Sequence, residues 1–331
     1  MLKTVLAKPA VIWGLDFTDG RPTPCDGEEP LGCAPASGEF RWLHFNLADQ
    51  WTREWILENS KLPTAMKDLL LAPERHQRAV VEEGYVGCVV HDVERDFDRL
   101  DAERTGVLRL VLGTELMVTA RHHPLRSADI VKSRILREGA LVRDAASALE
   151  LVVSAIVDNV AVVARDQTAQ IEAFEDALLE APETFDHRRL IGIRRRVVQF
   201  HRLLSGMRGV FSRLEQDKDL PEALRSTVEK LVQQLGAIDN DMVSIHGQLR
   251  LLREEADLQA AKLTNQSLYV LSILSALLLP ATLVTGFFGM NTGSLPLVHN
   301  PYGTVIATAL GMSAAVGVYA LLRIFGFVHR L

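Results

Sequence analysis

The chain has 331 residues, of which 48% are hydrophobic and 24% charged, and its formal net charge is −6 at pH 7. Those totals fit a soluble protein, but the distribution excludes a uniformly solvated one. From Leu263 to Leu322, sixty residues, there is no Asp, Glu, Lys or Arg, and His299 is the only side chain there that titrates near neutral pH. With Arg323 and Arg330 beyond that run, residues 1–262 carry about −8, so an acidic polar body precedes a hydrophobic tail.

No extended apolar stretch opens the chain (MLKTVLAKPAVIWG), so no secretory signal is expected. Cys25, Cys33 and Cys88 are odd in number; Cys25 and Cys33 flank acids as a soft metal site would, but a reduced cytosolic loop explains them as well. Residues 1–139 read as an N-terminal α/β domain. AVIWGLDF, FRWLHFNL, YVGCVVHDVE and VLRLVLGTELMVTARHH are strand-like, with Gly113-Thr114 as a hairpin turn. LPTAMKDLLL and LRSADIVKSRILRE read as helices. His122 and His123 are residue types that bind metal, or simply a strand end leading into Pro124. There is no P-loop, GxSxG or HExxH, and no nucleophile, base or cofactor constellation, so no enzyme is expected.

Residues 140–220 form cytoplasmic helices broken near Pro182. The basic cluster Arg188, Arg189, Arg194, Arg195 and Arg196 follows the acidic stretch Glu172–Glu183 and can pack antiparallel against it; no nucleic-acid partner is expected. Residues 221–290 read as one long helix. Its apolar face runs Leu224, Val228, Leu231, Val232, Leu235, Ile238, Met242, Ile245, Leu249 and Leu252. At 1.5 Å per residue it would be roughly 105 Å long, bent at Pro280.

Tyr269–Phe288 and Tyr302–Leu322 are each long enough to cross a hydrocarbon core of roughly 30 Å. The first span falls at about 268–290, an outside loop at 291–301, the second span at 302–322 and a cytoplasmic tail at 323–331. Basic residues flank the pair and are absent from its tip, which puts both termini in the cytoplasm. The first span carries one stripe: Asn265, Leu268, Ser272, Ser275, Leu279, Thr282, Gly286 and Gly289. One helix with a hydroxyl stripe encloses nothing, whereas several copies turning that stripe inward enclose a pore.

Phe287-Phe288-Gly289-Met290-Asn291, ending a first span and followed by a short loop and a last span, resembles the CorA family of divalent-cation transporters. LLLPATLVTGFFGMN resembles that family's first span throughout. The loop Thr292–Leu297 lacks the carboxylate usual in magnesium-transporting members; with Trp42–Pro63 it resembles the ZntB branch, associated with zinc. The resemblance implies an α+β cytoplasmic domain, a long helical stalk and two C-terminal transmembrane helices, assembled as a funnel-shaped homopentamer in the inner (plasma) membrane. It implies a selectivity filter at Gly289, Met290 and Asn291, and a pore lined by Asn265, Leu268, Leu271, Ser272, Ser275, Leu279, Thr282 and Gly286. The cargo would be a divalent cation, zinc before magnesium, cobalt or nickel, with or without protons, and no cofactor. His299 at the mouth, and Glu254, Glu255 and Asp257 near the inner end, are metal-attracting residues, although ordinary loop and stalk roles explain them too. A membrane-anchored sensor or scaffold is the remaining alternative.

Overall fold

In the computed structural model, which describes residues 11–25, 39–58, 61–95, 104–180, 187–290 and 301–325, the chain forms two units. The first takes in Met1–Leu179 and Phe185–Leu252, the second Glu180–Thr184 and Arg253–Leu331.

A single sheet organises the first unit. Its strands are β1 (Val11–Thr18), β2 (Arg21–Pro24), β3 (Phe40–Asn46), β4 (Arg78–Glu82), β5 (Tyr85–Val93), β6 (Thr105–Leu112) and β7 (Leu116–Arg121). They lie in the order β2-β1-β3-β7-β6-β5-β4, antiparallel except for the parallel β3–β7 pair. Two hairpins turn on left-handed pairs: Asp19 and Gly20 have φ of 51° and 79°, Glu83 and Gly84 of 50° and 79°. Two residues in that conformation match the right-handed twist of the strands they join. The expected turn at Gly113 is present, closed by Gly113 N–H donating to the Leu116 carbonyl at 2.8 Å. A Cβ at Gly113 would come within 2.5 Å of the Tyr85 ring, so glycine is required there.

Two strands and one helix go beyond the sequence expectation. β2 is RPTP, whose prolines are tolerated because it is an edge strand. β4 is the other edge and only five residues long. Helix α1 (Gln50–Glu58) starts where Asp49 accepts from the Thr52 N–H at 2.9 Å.

Alternation along the strands sorts the two faces. Leu43, Phe45, Val89, Val107, Val111, Val118 and Ala120 pack with Ile56 of α1 and with Met66, Leu69 and Leu70 of α2 (Thr64–Leu71). Trp42, His44 and Thr119 point the other way. Trp42 Nε1 donates to Thr119 Oγ1 at 3.0 Å, and Arg121 Nε donates to His44 Nε2 at 3.1 Å. His44 must therefore carry its proton on Nδ1, which donates to Thr119 Oγ1 at 2.8 Å. Burial, then the nearby Arg121 and Lys132, hold this imidazole neutral and push its pKa down to about 3. Asp92, also buried, accepts from the backbone and hydroxyl of Ser127 at 3.2 and 2.5 Å, at the start of α3 (Arg126–Leu136). Burial raises its pKa to about 6 despite those bonds.

The helices α4 (Ala145–Glu180) and α5 (His187–Glu215) and the first half of α6 (Glu222–Phe288) complete this unit. Leu149, Val153, Ile156 and Val160 of α4 and Leu224, Val228, Leu231 and Leu235 of α6 are fully or almost fully buried. The basic run of α5 does lie antiparallel to α4. Its Arg196 contacts Gln167 and Gln170, and Arg189 sits over the Phe174 ring at 5.6 Å.

In the second unit, α6 continues unbroken past Pro280 and α7 (Gly303–Ile324) follows. Among the described residues, three helices, α4, α6 and α7, are long and apolar enough to cross a membrane. α4 has its apolar face buried in the first unit, whereas 0% of the apolar window of α6 and 6% of that of α7 is buried.

Candidate functional site

The C-terminal half of α6 has two faces that differ in what covers them. Tyr269, Ile273, Ala276, Leu277, Pro280, Ala281, Val284 and Phe288 are partly covered. Gly311, the buried residue of α7, explains why. A Cβ built on it would stand 3.9 Å from Val284 and 4.0 Å from Ala281, so the two helices meet there. Close approach of this kind through a small residue is how helices pack without a hydrophobic driving force.

The opposite face holds Asn265, Leu268, Leu271, Ser272, Ser275, Leu279, Thr282 and Gly286, every one exposed. At about 100° per residue these positions fall on one side of the helix, roughly opposite the α7 contact. Leu279 is 71% exposed. An apolar side chain left open in that way forgoes about 1.5–3 kcal/mol of burial. The face therefore calls for lipid or another protein surface.

Two of its hydroxyls have a defined polarity. Ser272 Oγ donates to the Leu268 carbonyl at 2.8 Å, and Thr282 Oγ1 to the Leu278 carbonyl at 2.9 Å. A hydroxyl whose proton is spent on its own helix presents only lone pairs outward. Lone pairs accept from the water shell of a cation or touch the cation itself; they offer nothing to an anion.

The helix ends at Phe288. Gly289 N–H donates to the Thr285 carbonyl at 2.9 Å, and Met290 N–H reaches the Phe287 carbonyl at 3.5 Å. A Cβ on Gly289 would stand 2.9 Å from the Thr285 oxygen, a backbone atom that cannot swing away. Asn291 and His299 lie outside the described residues, as does Cys33. Glu254, Glu255 and Asp257 are exposed on α6, with Asp257 3.7 Å from Arg253. Among the described residues of one chain, no three His, Cys, Asp or Glu side chains gather into a metal site.

Residues 37–325 match the family model described as CorA-like Mg2+ transporter protein. The chain belongs to this family. As a member, it is a transporter protein by family, with two C-terminal helices suited to a membrane. The zinc transport protein ZntB of Photorhabdus laumondii subsp. laumondii is 23% identical over 263 residues, 77% of this chain and 78% of that one. Among solved structures, full-length CmaX has a TM-score of 0.78 at 21% identity, covering 96% of this chain and 98% of its own. The complete CorA magnesium transporter of Methanocaldococcus jannaschii has a TM-score of 0.76 at 16% identity, with 94% and 98% covered. These likenesses establish the expected α+β fold with its long helix and C-terminal hairpin helices.

One group of residues went unread in the sequence. Arg109 points into the apolar face under α1 and α2, between Val107 and Val111, and is 2% exposed. The signal was an Arg inside VLRLVL, at a position where strand alternation demands an apolar side chain.

Proposed function

We propose that the protein is a homopentameric pathway for divalent metal cations, zinc foremost, across the plasma membrane. The observation that carries this reading is the uncovered, charge-free face of α6, where Ser272 and Thr282 turn lone pairs outward and which leads in sequence to Gly289-Met290-Asn291. Five copies turning that face to a common axis would satisfy it and would enclose a pore. Asn291 carboxamide oxygens would ring the outer mouth and accept from the water shell of the arriving ion. Removing that shell from a divalent cation is costly, so a filter that handles hydrated ions suits the chemistry. Leu268, Leu271 and Leu279 would form apolar constrictions between the polar rings. Both termini would lie in the cytoplasm, where the acidic first unit and Glu254, Glu255 and Asp257 would draw cations.

Zinc is favoured by the ZntB relatives and by a mouth loop, Thr292–Leu297, that carries no carboxylate. The family's own description favours magnesium, and this is the second reading. Asn291→Ala tests the filter. Its expected result is at least about a tenfold loss of cation flux, since one hydrogen bond of about 1.4 kcal/mol at the barrier is worth a factor of ten. Flux and selectivity equal to the unmodified protein would remove Asn291 from the mechanism.

A further inference from the structure

A cavity of about 430 Å3 opens in the first unit between α1, the end of α2 and the ends of β6 and β7. Its charged lining is of one sign, Arg53, Arg75 and Arg109, with His122 and His123 beside them. Arg109 is the buried member. Its Nη2 donates to the Ala72 and Glu74 carbonyls at 2.8 and 3.0 Å, while its Nε–H has no hydrogen-bond partner. The nearest carboxylate on that loop, Glu74, is held by Arg78. Burial, and then the guanidiniums of Arg78, Arg75 and Arg53, press the Arg109 pKa downward, and burial with Arg109 and Arg53 lowers His122. A metal cation would be repelled here, which removes His122 and His123 as metal ligands. A buried guanidinium without a countercharge is costly to maintain, and an oxyanion is the group that relieves it.

We propose that this cavity binds a phosphate-type oxyanion, free or carried on a small molecule, with Arg109 as the buried anchor and Arg53 and Arg75 closing over it. A guanidinium fork matches phosphate in shape as well as in charge. The volume falls in the range of small-molecule sites, about 300–1,000 Å3, and exceeds what a bare phosphate fills.

The test is isothermal titration of the full-length protein in detergent, with a chelator present so that no metal bridges the ligand. The probes are inorganic phosphate and AMP, with sodium chloride at matched ionic strength as the control. The expected result is saturable binding of at least one phosphate probe above the chloride control. Comparable affinities would assign the site to the free ion, and a much tighter AMP to a phosphorylated molecule; both support the proposal. Arg53→Ala and Arg75→Ala, each at an exposed position, are expected to weaken binding about tenfold apiece with an unchanged melting temperature. No binding beyond chloride, or binding undiminished in both variants, would overturn it and leave Arg109 as a tie for the α2–β4 loop. Because no flux is measured, failure of the transport reading would not register here.

Discussion

Two buried titratable groups in the first unit pull its acid stability in opposite directions. His44 has its folded pKa depressed to about 3 from 6.5. Between those values the unfolded chain binds a proton that the folded chain refuses. The corresponding stability, about 5 kcal/mol, is present above pH 6.5 and is lost as pH falls toward 3. Asp92 has its folded pKa raised from 3.8 to about 6. It imposes a penalty of about 3 kcal/mol above pH 6, relieved as pH falls toward 3.8. His44→Asn keeps a donor toward Thr119 and removes the titration. The melting temperature of that variant is expected to rise relative to the unmodified protein as pH is lowered from about 6.5 to 4. Parallel melting curves across that window would show that His44 is not held neutral. The cluster was illegible in the sequence, because FRWLHFNL shows a histidine on a strand but not that Thr119 and Arg121 meet it from 75 and 77 residues further along the chain.

At the scale of elements, the sequence was most readable where periodicity was strong. The apolar steps from Leu224 to Leu252 predicted the buried face of α6, and Leu224, Val228, Leu231, Leu235, Met242, Ile245, Leu249 and Leu252 are buried. Residues Val232 and Ile238, on the margin of that stripe, are only partly covered. The edge strands were missed because short or proline-bearing segments leave little alternation to read, although Asp19-Gly20 is a strong hairpin signal. The hydroxyl stripe could be placed on one face, but the direction of its protons and the face that α7 covers needed the structure. That direction carries a prediction. Thr282→Val keeps the shape of the side chain and removes the outward oxygen. In reconstituted protein it is expected to lower cation flux by about tenfold or more while leaving helix content unchanged, as checked by circular dichroism. Unaltered flux would reassign Thr282 to lipid or to packing.

The whole molecule poses one requirement that a single chain does not meet. Asp, Glu, Lys and Arg are absent from Leu263 to Leu322, and no cluster of metal-binding side chains appears among the described residues of one chain. In the proposed pathway the cation would meet neutral oxygens contributed by several copies, and that is the central claim. Selectivity in such a pathway rests on how the ion and its water shell fit those oxygens rather than on a fixed charge. The most direct measurement is entry of zinc and of magnesium into liposomes holding the purified protein, followed in parallel with an internal pH dye. The account predicts zinc entry well above magnesium, abolished in protein-free liposomes; acidification in step with it would add proton coupling. Dominant magnesium entry would contradict the zinc assignment, and no entry of either ion through intact oligomers would contradict the pathway itself.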